Sequence, residues 1–361
     1  MAIGAKWMHL VQWLGKYVAK RLVLLVLLLM ACLGMLEGGL RIYSLCCYPK
    51  MMELDDKLGW KHAKGVRKTF VNEIGEKAII VQNDHGLRGK NYGYQRENGK
   101  FRILVLGDSF ADGQMNEAEL FSACLERSNP HFEVINAGVA GYGTLQEYLY
   151  LVSEGIKYQP DLVLLMFYDN DLYDNGLSYF VPFGPRPYAT LLDHELRIIT
   201  KPDPAKFLRF TIPVPFRLTL HRRSYLYYFL NIQIYHRVFW NRLKNLHYAD
   251  LNEVEGAGKF ELFYEIAKHI HQYLATRNVR LMLVLIPTRE EISLGKSHSH
   301  RLIREFCSLQ QIPCLSLLDR FKQEGRPGLY FPLDIHWTPA GHRVAAEEIA
   351  LHIHRLKGLQ N

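Results

Sequence analysis

The sequence lacks the patterns that would tie it to metal or disulfide chemistry. Among its 361 residues are six cysteines, Cys32, Cys46, Cys47, Cys124, Cys307 and Cys314. None forms a Cys-x-x-Cys pair or stands at metal-ligand spacing from a histidine, so neither a structural zinc site nor a disulfide framework is expected. No His-Glu-x-x-His occurs. Cys124, Cys307 and Cys314 fall in apolar patterns and read as small core residues, whereas Cys46 and Cys47 follow an apolar run and are candidates for pairing or acylation. Two further absences are local. Leu22 to Leu36 carries no charge, and Pro204 to Ala249 holds no Asp or Glu while holding Lys206, Arg209, Arg217, Arg222, Arg223, Arg237, Arg242 and Lys244. The formal net charge of +8 therefore belongs to one segment, and the rest of the chain is balanced. With 48% hydrophobic and 22% charged residues, the composition excludes a disordered or repetitive chain and fits one large core with a small appendage.

The uncharged run LVLLVLLLMACLGML is preceded by Lys6, Lys16, Lys20 and Arg21, a flank that marks the cytoplasmic side of a membrane segment. The run is shorter than the ~20 residues a span needs, but Glu37 and Arg41 can pair four residues apart, and Leu40 and Ile42 extend the apolar length. The expectation is a cytoplasmic stretch 1–21, a single-pass signal-anchor 22–43 and a linker with a β-rich lead-in over 44–100. A cleaved signal peptide ranks lower because no small-x-small site follows. A lipoprotein site at Leu29-Met30-Ala31-Cys32 ranks third because apolar sequence continues beyond the cysteine. Each reading puts the body outside the cytoplasm or in a lumen, where nucleic acid is not a partner.

From Phe101 strands alternate with helices, which predicts a parallel sheet covered on both faces. Ile103–Leu106, Phe132–Ile135, Leu162–Phe167, Val279–Ile286 and Ile312–Leu317 read as strands. Helical stripes run through Leu120 to Leu125, Leu145 to Val152, Phe260 to Leu274, Leu302 to Leu309 and Ala345 to Ile353. Roughly 172–257 interrupts the alternation and is too long for an ordinary loop.

Four blocks fall at predicted strand ends, where open α/β sheets bind ligands. The first, Gly107-Asp108-Ser109-Phe110, offers a hydroxyl at a tight turn whose following helix presents N–H groups to developing negative charge. The second, Asn136 to Thr144, contains Gly138, Gly141 and Gly143 and lets backbone approach a ligand. Its Gly141 N–H is a candidate oxyanion donor. The third, Tyr168-Asp169-Asn170-Asp171, supplies the Asn170 amide, although Asx residues also cap helices. The fourth, Asp334-Ile335-His336-Trp337, places a carboxylate and an imidazole on one face if the backbone is extended, so that Asp334 can fix the tautomer of a histidine base. A metal-dependent alternative would draw on His336, Asp334, His298 and His300, or on Asp169, Asp171 and Asp174. The first two of those extra ligands, His298 and His300, fall in what reads as a solvated Gly-Ser-rich loop.

Taken in order, the four blocks resemble the SGNH, or GDSL-like, hydrolase family over about Phe101 to Leu356. The resemblance implies a flavodoxin-like three-layer α/β/α catalytic domain over 101–356, with Ser109 as nucleophile, His336 as base and Asp334 as its partner. It also implies an oxyanion hole from the Ser109 N–H, the Gly141 N–H and the Asn170 side chain, and no cofactor. Two positions depart from the family pattern. Tyr168 stands where glycine is usual, and Asp-x-His replaces Asp-x-x-His. The second departure resembles alginate O-acetyltransferase-like proteins of cell-surface polysaccharide assembly. The implied activity is a membrane-anchored serine hydrolase of acyl or acetyl esters, on a glycan or lipid. The alternatives are O-acyl transfer to an extracytoplasmic polysaccharide, or an inactive glycan-binding scaffold. The basic, aromatic segment 204–249 is expected to meet anionic lipid, as part of an insertion lying over Ser109 as a lid.

Overall fold

The computed structural model describes residues 2–46, 49–181, 183–256, 258–325 and 328–358. It divides into two units, one of residues 1–49 and 212–238, the other of residues 50–211 and 239–361.

The larger unit is built on five parallel strands, β1 (Phe101–Leu106), β2 (Phe132–Asn136), β3 (Leu162–Phe167), β4 (Arg280–Leu285) and β5 (Cys314–Ser316). Their order across the sheet is β5-β4-β3-β1-β2, the flavodoxin-like arrangement, with its switch point between β1 and β3. Strands this apolar are covered on both faces. Successive side chains alternate between two cores. Leu104 and Leu106 face the side carrying Leu145 and Leu151, Phe263, Ile266 and Ile270, and Ile303 and Phe306. Ile103 and Val105 face the side carrying Phe121, Leu125, Val344, Ala345 and Ile349. The helices that supply these residues, in chain order after an N-terminal helix α1 (Ala2–Cys46), are α2 (Ser109–Asp112), α3 (Phe121–Ser128), α4 (Thr144–Ser153), α5 (Lys259–Ala275), α6 (His298–Leu309) and α7 (Pro339–Gly358). This is the three-layer α/β/α architecture. Cys307 is a buried core residue, while Cys124 and Cys314 are only partly covered. Cys46 and Cys47, the candidates for pairing or acylation, lie outside the residues whose side chains are described.

Two of the sequence expectations change. His298 and His300 are not in a solvated loop. Ser297 caps α6 by accepting from the His300 N–H at 3.0 Å, and this cap draws the Ser-His-Ser-His stretch into the helix. His300 is then buried, with Nδ1 2.8 Å from Ser316 Oγ and Nε2 3.2 Å from the Ile286 carbonyl. The segment 172–257 is also not a single lid. Residues up to 211 and from 239 belong to the larger unit. There a hairpin, Tyr188–Leu192 with Glu195–Ile199, packs Leu191, Leu196 and Ile198 on the core. The basic segment is partly neutralised as well, because Lys206 pairs with Glu253 at 2.8 Å and Arg209 with Asp250. Both acids lie just beyond the acid-free window, where sequence counting did not look.

Within the smaller unit, α1 runs straight through the expected anchor boundaries. Its Gly15–Leu45 stretch is long and apolar enough to cross a membrane. Arg41 Nε donates to Glu37 at 2.7 Å. The Glu37 carboxylate also accepts from Ser224 Oγ at 2.9 Å, from the Tyr225 N–H at 3.1 Å and from the Leu226 N–H at 2.9 Å. These last two are orphan donors of the short helix Tyr225–Phe229, so an acid on α1 caps a helix that follows it by nearly two hundred residues.

Candidate active site

At the end of β1 the chain turns sharply into α2. Gly107 sits where a Cβ would lie 2.8 Å from Ala111 Cβ and 2.9 Å from Met166 Cβ, so no larger residue fits this crossing. Asp108, fully buried, accepts the Phe110 N–H at 2.9 Å and so caps the turn that lifts Ser109 out of the sheet edge. Burial pushes the Asp108 carboxyl up to about 6, against the pull of the Phe110 N–H, of His336 and of the Asn170 amide.

Ser109 Oγ lies 2.6 Å from His336 Nε2. On the other side of the ring, Nδ1 is hydrogen-bonded to Asp334 Oδ1. The pair is not made by an extended strand, as the sequence reading supposed. Residues 332–336 form a bend, in which Asp334 Oδ1 also accepts the His336 N–H at 3.1 Å, an Asx-type turn that puts both side chains on the same side of the loop. The bend is fastened from outside. Glu73, at the tip of the hairpin Arg67–Val71 with Lys77–Val81, accepts the Leu333 and Asp334 N–H groups at 2.8 and 3.0 Å. Arg289 donates to the Phe331 and Pro332 carbonyls at 3.0 and 2.7 Å. Beneath the imidazole, the Phe110 ring centroid is 5.0 Å from that of His336 and 4.4 Å from that of Tyr168. Tyr168, one of the two positions that depart from the pattern of the resembled family, thus makes an aromatic contact with Phe110. The His336 and Asp334 side chains remain 15% and 33% exposed, so the constellation opens to solvent.

The second block closes on the first. Asn136 donates to the Ala111 carbonyl at 2.7 Å and accepts the Gly138 N–H at 3.0 Å. Gly141 has φ +78°, and a Cβ there would fall 2.8 Å from the Phe180 ring, so glycine is required on both grounds. Among the described residues, no protein acceptor takes the N–H of Ser109 or of Gly141. Asn170 begins the short helix Asp171–Asp174. Its Nδ2 donates to Asp174 Oδ2 at 2.8 Å, and its Oδ1 is buried without a protein partner among the described residues. The structure thus joins Ser109, His336 and Asp334 directly, whereas Asn170 is linked through Asp108 and Asp174. The residues of the metal-dependent alternative have other engagements: Asp169 accepts from Ser299 Oγ at 2.7 Å, Asp171 takes the Tyr168 N–H at 3.2 Å, and Asp174 pairs with Arg186 at 2.6 Å.

Sequence reasoning missed Glu73, Arg289, Trp60 and Arg186 as parts of this region, and weighed Asp174 only as a metal ligand. None lies in a motif, and each acts through contacts between distant segments.

A hydroxyl bonded to an imidazole, itself bonded to a carboxylate, beside unused backbone donors, is an arrangement suited to acyl transfer through a covalent intermediate. Residues 248–361 match the family model described as SGNH hydrolase-like domain, acetyltransferase AlgX. That range is less than half of the chain. It contains the fourth block, while the other three lie outside it. No curated protein sequence matches this chain. Similar solved structures include a catalytic mutant of Axe2, an acetylxylan esterase from Geobacillus stearothermophilus (12% identity, 72% of this chain and 96% of that one, TM-score 0.40). A lipase/acylhydrolase from Enterococcus faecalis matches at 13% identity, over 70% of this chain and 95% of that one, with TM-score 0.38. A two-domain esterase, CEX, active on acetylated mannans matches at 13% identity, over 72% and 50%, with TM-score 0.40.

Proposed function

We propose that this chain is an SGNH-type serine esterase or acyltransferase, a reading supported by its match to an SGNH hydrolase-like domain, and that it acts on acyl or acetyl esters of extracytoplasmic glycans through an acyl-enzyme on Ser109, held at the membrane by α1. Ser109 Oγ attacks the ester carbonyl while His336 Nε2 takes its proton. Asp334 keeps the other ring nitrogen protonated and stabilises the imidazolium. The oxyanion is received by the Ser109 and Gly141 N–H groups, with the Asn170 amide as a further donor. His336 then returns its proton to the departing alkoxide, and water adds to the acyl-enzyme to release the acid and regenerate Ser109. The observation that carries the reading is the unbroken path Ser109 Oγ to His336 Nε2 at 2.6 Å, then His336 Nδ1 to Asp334.

Acyl transfer is the second reading, favoured by the acetyltransferase in the description of the matching family. It shares every step up to the acyl-enzyme, and a sugar hydroxyl then replaces water. In the membrane arrangement the basic, positively flanked N-terminus stays cytoplasmic and the catalytic unit lies outside. Residues 212–238, carrying Arg217, Arg222 and Arg237 together with exposed Phe216, Phe229, Ile234 and Val238, sit at headgroup level.

The test is covalent labelling. A fluorophosphonate should label the wild type at Ser109 and leave Ser109→Ala unlabelled, with hydrolysis of a chromogenic acetyl ester falling by about 10⁴-fold or more. Persistent labelling of Ser109→Ala ends the assignment. Adding a soluble glycan acceptor then separates the two readings: acetate released in its presence marks the esterase, and acetylated glycan marks the transferase.

A further inference from the structure

Arg186 is 0% exposed, and its guanidinium serves several acceptors. Nε donates to the Leu177 carbonyl at 3.0 Å. Nη1 donates to the Gly141 carbonyl at 2.8 Å and reaches Gln146 Oε1 at 3.4 Å. Nη2 donates to Asp174 Oδ1 at 2.6 Å. The other oxygen of Asp174 takes one hydrogen of the Asn170 amide at 2.8 Å. One buried ion pair therefore touches both the loop carrying the proposed Gly141 donor and the proposed side-chain donor.

Trp60, also 0% exposed, completes the arrangement from the hairpin Met52–Asp55 with Gly59–His62. Its Nε1 donates to the Ala140 carbonyl at 3.0 Å. The Ala140 carbonyl and the Gly141 N–H belong to one planar trans peptide, so fixing that oxygen directs the N–H to the opposite side. Arg186 fixes the carbonyl of the next peptide, and both planes around Gly141 are held. The Phe180 ring, against which no Cβ would fit at Gly141, closes the remaining side.

We infer that Trp60 and the Arg186–Asp174 pair are positioning residues, which preset the Gly141 N–H toward the oxyanion and hold the Asn170 amide in place before substrate arrives. This rests on the acyl-enzyme reading above. It also gives a role to the part of the insertion nearest the sheet, which the four motif blocks leave unexplained. A preset donor costs no reorganisation when charge develops. Arginine is needed because a lysine ammonium, a single point of charge, cannot span the Gly141 carbonyl and Asp174 as a planar fork does.

The experiment measures full-length Arg186→Lys, Asp174→Asn and Trp60→Phe against a small chromogenic acetyl ester, after the wild type has been shown to label at Ser109. Trp60→Phe keeps an aromatic ring and removes the N–H. Each folded variant should lose kcat, by about 10²-fold for Arg186→Lys, on the scale of one displaced oxyanion donor, and by about tenfold for Trp60→Phe, which keeps the ring and loses only one of the two anchored peptides. KM should change less than threefold. The pH midpoint of kcat should not move, because His336 and Asp334 are untouched, whereas a general loosening of the fold would disturb all three readouts. Folded variants with kcat within twofold of wild type overturn the inference. So does failure of all three to fold, which would make these residues determinants of the fold alone. A wild type that neither labels nor turns over removes the acyl-enzyme reading and this inference with it, an outcome distinct from active wild type with active variants.

Discussion

The same residue types meet opposite conditions in the two units. In the sheet, Leu104 and Leu164 are 0% exposed; on α1, Leu24 and Leu28 are 68% and 61% exposed. A leucine in the sheet is covered by protein on both faces, so what distinguishes that unit is how it places the polar groups buried along with its leucines. On α1 the apolar surface is a continuous outward face, far larger than a soluble surface carries, and its Gly15–Leu45 stretch is long and apolar enough to cross a membrane. The polar groups differ in parallel. The larger unit buries the charged side chains of Asp108, Glu147, Asp171 and Arg186. The smaller unit concentrates its cross-segment polar contacts on Glu37 and Arg41. Solvent supplies specificity at little cost on a surface, whereas in an interior each polar group needs a partner built for it. The α/β unit spends that requirement on the geometry of a site.

The comparison can be broken most severely at Asp334. If pre-built partners set the chemistry, Asp334→Asn should lower kcat by about 10³–10⁴-fold, because an amide can hold the imidazole in the wrong tautomer. The bend survives the change, since the side-chain oxygen still accepts the His336 N–H. A near wild-type rate in Asp334→Asn would show that another group orients His336.

How far this was legible in sequence follows the same division. The five strands were readable because each is a short, mainly apolar run, and the pattern that buries β1 on both faces is written in Ile103 to Leu106 itself. Ser109 was readable because it falls in a block at a strand end; Asp334 and His336 were readable as a neighbouring carboxylate and imidazole, although their block follows the helix Leu318–Glu324 and not a strand. The start of α6 was not, because Ser297-His298-Ser299-His300 resembles a solvated turn until the Ser297 cap is seen. The placement of Asp334 beside His336 was anticipated for the wrong reason, since a bend and not a strand makes it. Trp60 and Arg186 had no signal at all. Trp60 reaches a carbonyl 80 residues away and Arg186 one 45 residues away, and nothing in the local pattern of either marks the contact. The role of Glu37 was half visible. Its pairing with Arg41 is an i, i+4 relation on one helix, but the capping of Tyr225 and Leu226 is a tertiary fact.

A smaller effect sharpens the contrast by testing a buried group that lacks a partner. Glu147 lies on α4 with both carboxyl oxygens buried and unpartnered among the described residues. Burial, reinforced by the nearby Asp108, pushes its carboxyl well above the usual range. A folded-state value above the unfolded one means that the native state holds this proton more tightly. The group then costs stability increasingly as pH rises past the unfolded value of about 4.3, and costs none below it. Glu147→Gln keeps the shape and removes the proton from the balance. Thermal denaturation should show a Tm about 2–4 °C above wild type at pH 8, a difference that shrinks to nothing near pH 4. A lower Tm at pH 8 would mean that Glu147 is ionised and paired in the native protein.

The smallest effect is expected on the α1 side, at the polar contact that joins α1 to the helix Tyr225–Phe229. Glu37 accepts from Ser224 Oγ and from the N–H groups of Tyr225 and Leu226, while Arg41 donates to the Arg223 carbonyl at 2.6 Å. Replacing Glu37 by Leu extends the apolar face of α1 and should not disturb insertion into lipid. It leaves the Tyr225 and Leu226 N–H groups without their acceptor, while Ser224 Oγ still takes the Tyr227 N–H at 3.0 Å, a loss of about 1–2 kcal/mol on the scale of an N-cap. In full-length protein in lipid nanodiscs, amide hydrogen exchange at Tyr225 and Leu226 should then accelerate by roughly 5–30-fold, the range that 1–2 kcal/mol produces. Exchange in β1 and β3 should stay unchanged, as should hydrolysis of a small soluble ester, because neither the sheet nor the Ser109 site draws on Glu37. Unchanged protection at Tyr225 and Leu226 would show that lipid, and not the carboxylate, orders this helix. Accelerated exchange in β1 would show that the two units share one cooperative core, and the contrast between them would fail.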